Sequence, residues 1–300
     1  MRGVLLFLLI VRFESGASAQ SKVSTSQRGP FYEFQFAGLR LSVDAFDGGK
    51  IASFQLDGRE VLTPRSVDSL TYGSTFWVAP QTWGWPPPLQ MDGFLMETRW
   101  EGDHLWLTGP VIPKIGVFLT KEIWLNPVDS SVYLACTYRN SSPNPVPVAG
   151  WEISRSPKGG LAFLPGGEIQ KKNGLTELSL QKIDGMYWLD IPDRRYTRSG
   201  KVWIDGHGGW MAYAHTGLLL VKRFKDLPPA EAYPGESDTE IYVDDDKPYL
   251  ELEETGRWQT LEPGDSLRFE VSWRVAPIPP TVLVQPGSAE LLRMAEKLRH

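Results

Sequence analysis

The sequence predicts an all-β protein, a large antiparallel β-sandwich with one short C-terminal helix. Three observations predict it. Apolar and polar residues alternate in runs from about Leu39 to Val275, a period of two that places one set of side chains on one face of an extended strand. Turn signals separate the runs at Asp47-Gly48-Gly49, Asp57-Gly58, Pro165-Gly166-Gly167, Asp184-Gly185, Pro234-Gly235 and Pro263-Gly264. No helical period intervenes, whereas parallel strands need crossover helices. The 29 Gly and 24 Pro among 300 residues also exceed what a helical bundle uses.

Taken in order, the first nineteen residues read as a secretory signal. Arg2 supplies the positive start, Val4 to Val11 is apolar, and Ala17-Ser18-Ala19 offers a small-residue cleavage site. The apolar stretch is far shorter than the roughly 20 residues that span a bilayer. The expectation is export to a periplasm or the extracellular space, with Gln20 as the first mature residue and no membrane span after it. Residues 20–300 then form one domain, because no linker or solenoid repeat divides them. Polar Gln20 to Arg28 reads as a frayed lead-in. The strands expected most strongly are Ile51 to Leu56, Ser131 to Arg139, Leu218 to Phe224 and Leu267 to Val275. In the last, Leu267, Phe269, Val271, Trp273 and Val275 share one face. After Pro286-Gly287, Ser288 is an N-cap for a helix with Leu291, Leu292, Met294, Ala295 and Leu298 at helical spacing.

The balance of 31 Lys and Arg against 36 Asp and Glu, a formal charge of -5, argues against nucleic acid as a partner. Hydrophobic residues at 41% and charged residues at 22% suit a packed core rather than a disordered chain. The single Cys136 sits in an apolar strand and reads as an inert packed thiol. The sequence has no phosphate loop, no His-Glu-x-x-His and no Gly-x-Ser-x-Gly. Neither a cofactor nor a metal is expected, and Asp244-Asp245-Asp246 reads as an acidic turn. Asn140-Ser141-Ser142 matches the N-glycosylation pattern.

Candidate chemistry falls in two places. Phe76 to Pro88 carries three of the twelve tryptophans, Trp77, Trp83 and Trp85, beside prolines that keep the segment out of a sheet interior. An exposed indole can bury the apolar face of a sugar ring while amides and carboxylates bond its hydroxyls. Trp77 reads as core, and Trp83 and Trp85 as either platform or plug. In Tyr249-Leu250-Glu251-Leu252-Glu253-Glu254, strand alternation puts Tyr249, Glu251 and Glu253 on one face. That pair of carboxylates is either an acid and base or solvated.

Lys247 to Glu253, Leu261-Glu262-Pro263-Gly264-Asp265-Ser266 and the strand ending in Val271-Ser272-Trp273 resemble the C-terminal signature of the galactose mutarotase-like superfamily. Gly49 to Phe54 before Asp57-Gly58-Arg59-Glu60, and Leu220 to Phe224, resemble its opening hairpin and a late core strand. Phe76 to Pro88 and Gly209-Trp210-Met211-Ala212-Tyr213 look most like a bacterial family of unknown function within it. The resemblance implies a twisted supersandwich with a sugar cleft. It also implies the anomeric chemistry of aldose 1-epimerases, in which a glutamate takes the hydroxyl proton and a histidine protonates the ring oxygen.

The glutamate's motif position falls on Glu253. The histidine's position carries Gly150-Trp151-Glu152-Ile153-Ser154-Arg155 instead, leaving Glu152 and the loop residue His207 as candidate acids. Trp83, Trp85 and Trp151 are the expected platforms, and Gln81, Lys222 and Arg155 further polar contacts. The resulting expectation is an exported carbohydrate-binding protein. Its rivals are an epimerase, hydrolase or lyase with Glu253 as base, and a non-catalytic envelope scaffold that binds protein.

Overall fold

A computed structural model describes residues 22–174 and 177–300; the expected signal segment lies outside the described residues. In chain order the first strands are β1 (Ser24–Arg28), β2 (Phe31–Phe36), β3 (Leu39–Asp44), β4 (Lys50–Leu56), β5 (Arg59–Glu60) and β6 (Ser74–Ala79). A short helix α1 (Leu89–Asp92) precedes β7 (Glu97–Glu101), β8 (His104–Thr108), β9 (Val117–Asn126), β10 (Ser131–Asn140), β11 (Val146–Pro157) and β12 (Gly160–Asn173). Next come β13 (Ser179–Ile183), β14 (Met186–Ile191), β15 (Gly200–Gly206), β16 (Trp210–His215) and β17 (Leu218–Arg223). The chain ends with β18 (Thr239–Val243), β19 (Tyr249–Thr255), β20 (Gln259–Leu261), β21 (Ser266–Pro277) and helix α2 (Ala289–Leu298).

The ladders are antiparallel and resolve into two layers. The first runs β1, β2, β3, β4, β6, β11, β19, β18, β15 and the far half of β12. The second runs β7, β8, β9, β10, β21, β17, β16, the near half of β12, β14 and β13. Strand β12 passes between layers at Pro165-Gly166, pairing first with β14 and then, from Gly166, with β15. Only glycine fits there, since a Cβ on Gly166 would lie 2.7 Å from Ile204 and 2.8 Å from Tyr187.

The core fills the space between the layers. Phe54 of β4 meets Trp273 of β21 at 5.7 Å between ring centres, and Leu41, Val43, Leu134 and Val271 are fully or almost fully buried around them. The alternation expected over Leu267 to Val275 holds as far as Val271, with Phe269 and Val271 buried and Arg268 and Glu270 exposed; beyond it Ser272 and Arg274 are buried along with Trp273. Asp57-Gly58 and Asp184-Gly185 each form a two-residue hairpin turn with both residues at positive φ, the conformation that favours Asp-Gly there. Ser288 caps α2 by accepting from the Leu291 amide.

Two expectations need correction. Ser24–Arg28 is not frayed but pairs along its length with β2. Asn140 is no glycosylation acceptor, because its buried amide donates to the carbonyls of Asn144 (2.8 Å) and Leu261 (2.9 Å). Cys136 is fully buried and its thiol is pushed up to about 12 by burial, which leaves it inert. Among the described residues no helix is long and apolar enough to cross a membrane.

Candidate functional site

Five neighbouring strands of the first layer present a continuous lattice on the face turned away from the other layer. Alternation assigns Trp77 of β6, Trp151 and Arg155 of β11, Glu251 and Glu253 of β19, Glu240 and Tyr242 of β18, and Lys201 and Trp203 of β15 to this face. Register then makes rows. Lys201, Tyr242, Glu251 and Arg155 lie opposite one another in succession, as do Trp203, Glu240, Glu253 and Ile153, and Trp151 lies opposite Trp77. Opposed residues in such a lattice sit about 4.5–5.5 Å apart at Cβ, so the ladder itself brings the charges together.

Over this floor opens a cleft of about 590 Å³, within the range of small-molecule sites. Trp77, Trp85 and Trp151 form its aromatic walls, with Gln81 beside them. Lys201, Tyr242, Tyr249 and Glu251 line the floor, and Asp68, Leu70, Thr71, Asp244 and Lys247 the rim. Trp77 is the hub of the indoles, edge-on to Trp83 and Trp151 at 5.4 Å and to Trp85 at 6.1 Å. Two contacts hold the rim: Lys247 reaches Asp68 at 2.6 Å and Thr71 bonds Tyr249 at 2.8 Å. The ammonium of Lys247 and the amides of Leu70 and Thr71 outweigh burial and hold the Asp68 carboxyl down at about 2.

The floor's charges are paired in two groups. Lys201 donates to Glu253 at 2.8 Å and Glu240 at 2.7 Å, and its ammonium lies over the rings of Trp151 at 5.1 Å and Trp203 at 5.4 Å. Burial works against that ammonium, but the two carboxylates more than offset it and raise its pKa. Glu253 also accepts from the Trp151 indole at 2.8 Å. Burial pushes its carboxyl up to about 7, opposed by Lys201 and aided by the charge of Glu240. In the second group Arg155 donates its Nε to Glu251 at 2.8 Å and stacks on Trp77 at 5.2 Å. Burial raises the Glu251 carboxyl too, against the pull of Arg155.

The structure gathers some sequence candidates and disperses others. Gln81, Trp85 and Trp151 line the cleft; Arg155 and Glu253 are buried in the lattice, bonded to Glu251 and Trp151 respectively. Trp83 is a plug, its indole donating to the Val78 carbonyl at 2.9 Å. Trp77, expected as core, is buried and also walls the cleft. Glu152 and Lys222 lie away from the cleft, because alternation turns Glu152 to the opposite face of β11. There, in the sandwich interior, Lys222 bonds Glu152 at 2.6 Å and Glu254 at 2.8 Å. His207 also lies outside the cleft, on an exposed loop 3.3 Å from Asp205.

Lys201, Tyr242 and the rim residue Asp68 had no part in the sequence reading, and Lys247 entered it only as part of the resembling signature. For two of them a signal existed. Lys201-Val202-Trp203-Ile204 and Glu240-Ile241-Tyr242-Val243 each alternate a polar or aromatic residue with an aliphatic one. Both faces of these strands are mostly buried, and that hides which face carries the site.

The chain matches one family model, "Domain of unknown function (DUF4380)", over residues 76–276. No curated protein matches it in sequence. Among solved structures, a TPR-domain containing protein from Parabacteroides distasonis ATCC 8503 matches with a TM-score of 0.60 at 15% identity. That match covers 86% of this chain but 49% of the other, so the chain spans about half the length of that relative. A protein of Escherichia coli K12 whose name proposes an aldose 1-epimerase matches with a TM-score of 0.59 at 14% identity, covering 83% of this chain and 99% of its own. A Klebsiella pneumoniae protein named in the same way gives 0.60 at 10% identity, covering 92% and 86%. Galactose mutarotase-like proteins are among the other matches. At these identities the likeness shows the fold, a galactose mutarotase-like sandwich.

Proposed function

Since the chain belongs to the family described as Domain of unknown function (DUF4380), whose matched stretch carries the whole lattice floor, we propose that it binds carbohydrate in the tryptophan-walled cleft. One observation carries the reading. Three indoles, Trp77, Trp85 and Trp151, converge on a space also lined by Gln81, Lys201, Glu251 and two tyrosines. Indole faces take the C–H side of a pyranose, and amide, ammonium, carboxylate and phenol groups bond its hydroxyls. The sugar-related names of the structural neighbours agree with this. The leader read at residues 1–19 supports export, so the ligand would be met outside the cytoplasm.

A second reading, acid–base chemistry at the anomeric carbon, is favoured by Glu251. This carboxylate lines the cleft, is held from behind by Arg155, and is raised by burial above the ordinary carboxylate range, which suits a group that gives and takes protons. The described lining has no histidine, so the histidine of aldose 1-epimerases has no counterpart there. Glu251 would then serve as base, with Glu253 supporting the floor through Trp151 and Lys201.

Binding is tested by following indole fluorescence and melting temperature while titrating mono- and oligosaccharides. A sugar is expected to raise the melting temperature by mass action and to lose its effect in Trp85→Ala. Trp85 is 61% exposed, so this variant should keep stability within about 0.5 kcal/mol. No response to any neutral, acidic or aminated sugar would refute the reading. For the second reading, anomer interconversion followed by NMR should vanish in Glu251→Gln while the sugar still binds.

A further inference from the structure

Strand β19 gives the length of the cleft. Tyr249, the first of its seven residues, lines one end, and Trp151, registered opposite the last, Thr255, lines the other. At about 3.4 Å per residue these ends lie roughly 20 Å apart. A pyranose built from bonds of about 1.5 Å spans only roughly 5 Å between its 1- and 4-oxygens. The volume of about 590 Å³ agrees, since it falls well inside the range of sites that enclose ligands larger than one hexose. A single sugar ring would leave most of the cleft's length empty.

The two ends differ in chemistry. At the Trp151 end stand the indoles of Trp77, Trp85 and Trp151 and the amide of Gln81, surfaces that take the apolar face of a ring. At the Tyr249 end the turn from β18 to β19 supplies Asp244 and Lys247, and the segment before β6 supplies Asp68 and Thr71. These groups bond hydroxyls. Lys247 to Asp68 at 2.6 Å and Thr71 to Tyr249 at 2.8 Å hold them in place. An ammonium has three donors and a carboxylate about four acceptor sites, so the pairings leave capacity for a ligand. Between the ends lies one row of the lattice, Lys201, Tyr242 and Glu251. Exposed side chains stand at both ends, Trp85 at one and Lys247 at the other.

We propose that the ligand is an oligosaccharide rather than a free hexose, laid along β19 with one ring against the indoles, a second in the polar end, and the linkage between them crossing the row of Glu251. The proposal rests on the carbohydrate reading of the cleft and adds the length of its ligand. Each ring meets a different kind of surface. The second ring adds its contacts without a second loss of overall translational freedom, which is why linked rings bind tighter than either ring alone.

Calorimetric titration of the full chain with cello-, manno-, galacto- and chito-oligosaccharides of one to four units tests the assignment. In the series that binds, affinity is expected to climb about tenfold or more from one unit to two or three and then to level off as the cleft fills. This readout uses the unmutated protein and does not depend on any variant folding. In Lys247→Ala, at the polar end, the ratio of trisaccharide to monosaccharide affinity should fall toward one. A monosaccharide that binds as tightly as its longer homologues overturns the inference and leaves the carbohydrate reading standing. A gain with length that is unchanged in Lys247→Ala also overturns it, because the second ring then lies elsewhere. Failure of every sugar to bind overturns the carbohydrate reading and this inference with it.

Discussion

Glu253 and Glu254 are chain neighbours on β19 and face opposite ways. Glu253 meets Trp151 and Lys201 under the cleft, whereas Glu254 meets Lys222 between the layers. Burial raises the folded-state pKa of Glu253 from 4.5 to about 7. The protonated form is therefore favoured by folding; its stabilisation is complete below about pH 4.5 and is lost as pH rises toward 7. Between these values the melting temperature of the unmutated protein should fall relative to Glu253→Gln, which cannot ionise. Parallel profiles would show that burial does not govern this carboxyl. Alternation alone places Glu251 and Glu253 together. Their division of roles, one lining the cleft and one behind it, depends on Arg155 and Lys201, which arrive from other strands.

At the scale of the element, β11 joins the cleft to the core. Trp151 and Arg155 point to the site, Glu152 and Ser154 to the interior, and Gly150 leaves room for Phe269 of β21. A Cβ at Gly150 would lie 2.5 Å from the Phe269 Cβ, a contact that real side chains do not make. Gly150→Ala should cost about 1–3 kcal/mol, read by denaturant unfolding, and should blunt sugar binding because Trp151 is the next residue. An unfolding free energy unchanged within error would mean that β11 can shift freely past β21. The period of two in Gly150 to Arg155 was legible in the sequence. Which half of it faced outward was not, since Glu152 and Arg155 are both charged and both fully buried.

At the scale of the whole molecule, Lys222 ties the layers together. It reaches from β17 in the second layer to Glu152 and to the Leu252 carbonyl in the first, and to Glu254 at 2.8 Å. Burial raises the Glu254 carboxyl well above its ordinary value, against the pull of Lys222 and with the charge of Glu152 adding to the rise. Lys222→Met leaves two buried carboxylates without their cation, and the expected loss is about 3–5 kcal/mol. Lowering the pH favours the protonated form of Glu254, whose carboxyl is already raised, and should narrow the gap to the unmutated protein in thermal unfolding. A gap that stays constant with pH would assign the loss to packing alone.

The sequence by itself determined the strand-rich architecture, the hairpins at Asp57-Gly58 and Asp184-Gly185, the capped helix after Ser288 and the loop of Trp83 and Trp85. These are local properties, fixed by a period of two, by residues that tolerate positive φ and by a serine that satisfies an orphan amide. It did not determine that Phe76 to Ala79, expected outside a sheet interior, belong to β6 between β4 and β11. Only the tertiary structure decided that Trp77 walls a cleft, that Glu152 and Lys222 lie inside the sandwich, and that Lys201, Glu240 and Glu253 form one cluster. Those facts depend on which strands become neighbours across gaps of about forty to a hundred residues. A polar side chain on a strand buried on both faces carries no local mark of the layer it will meet.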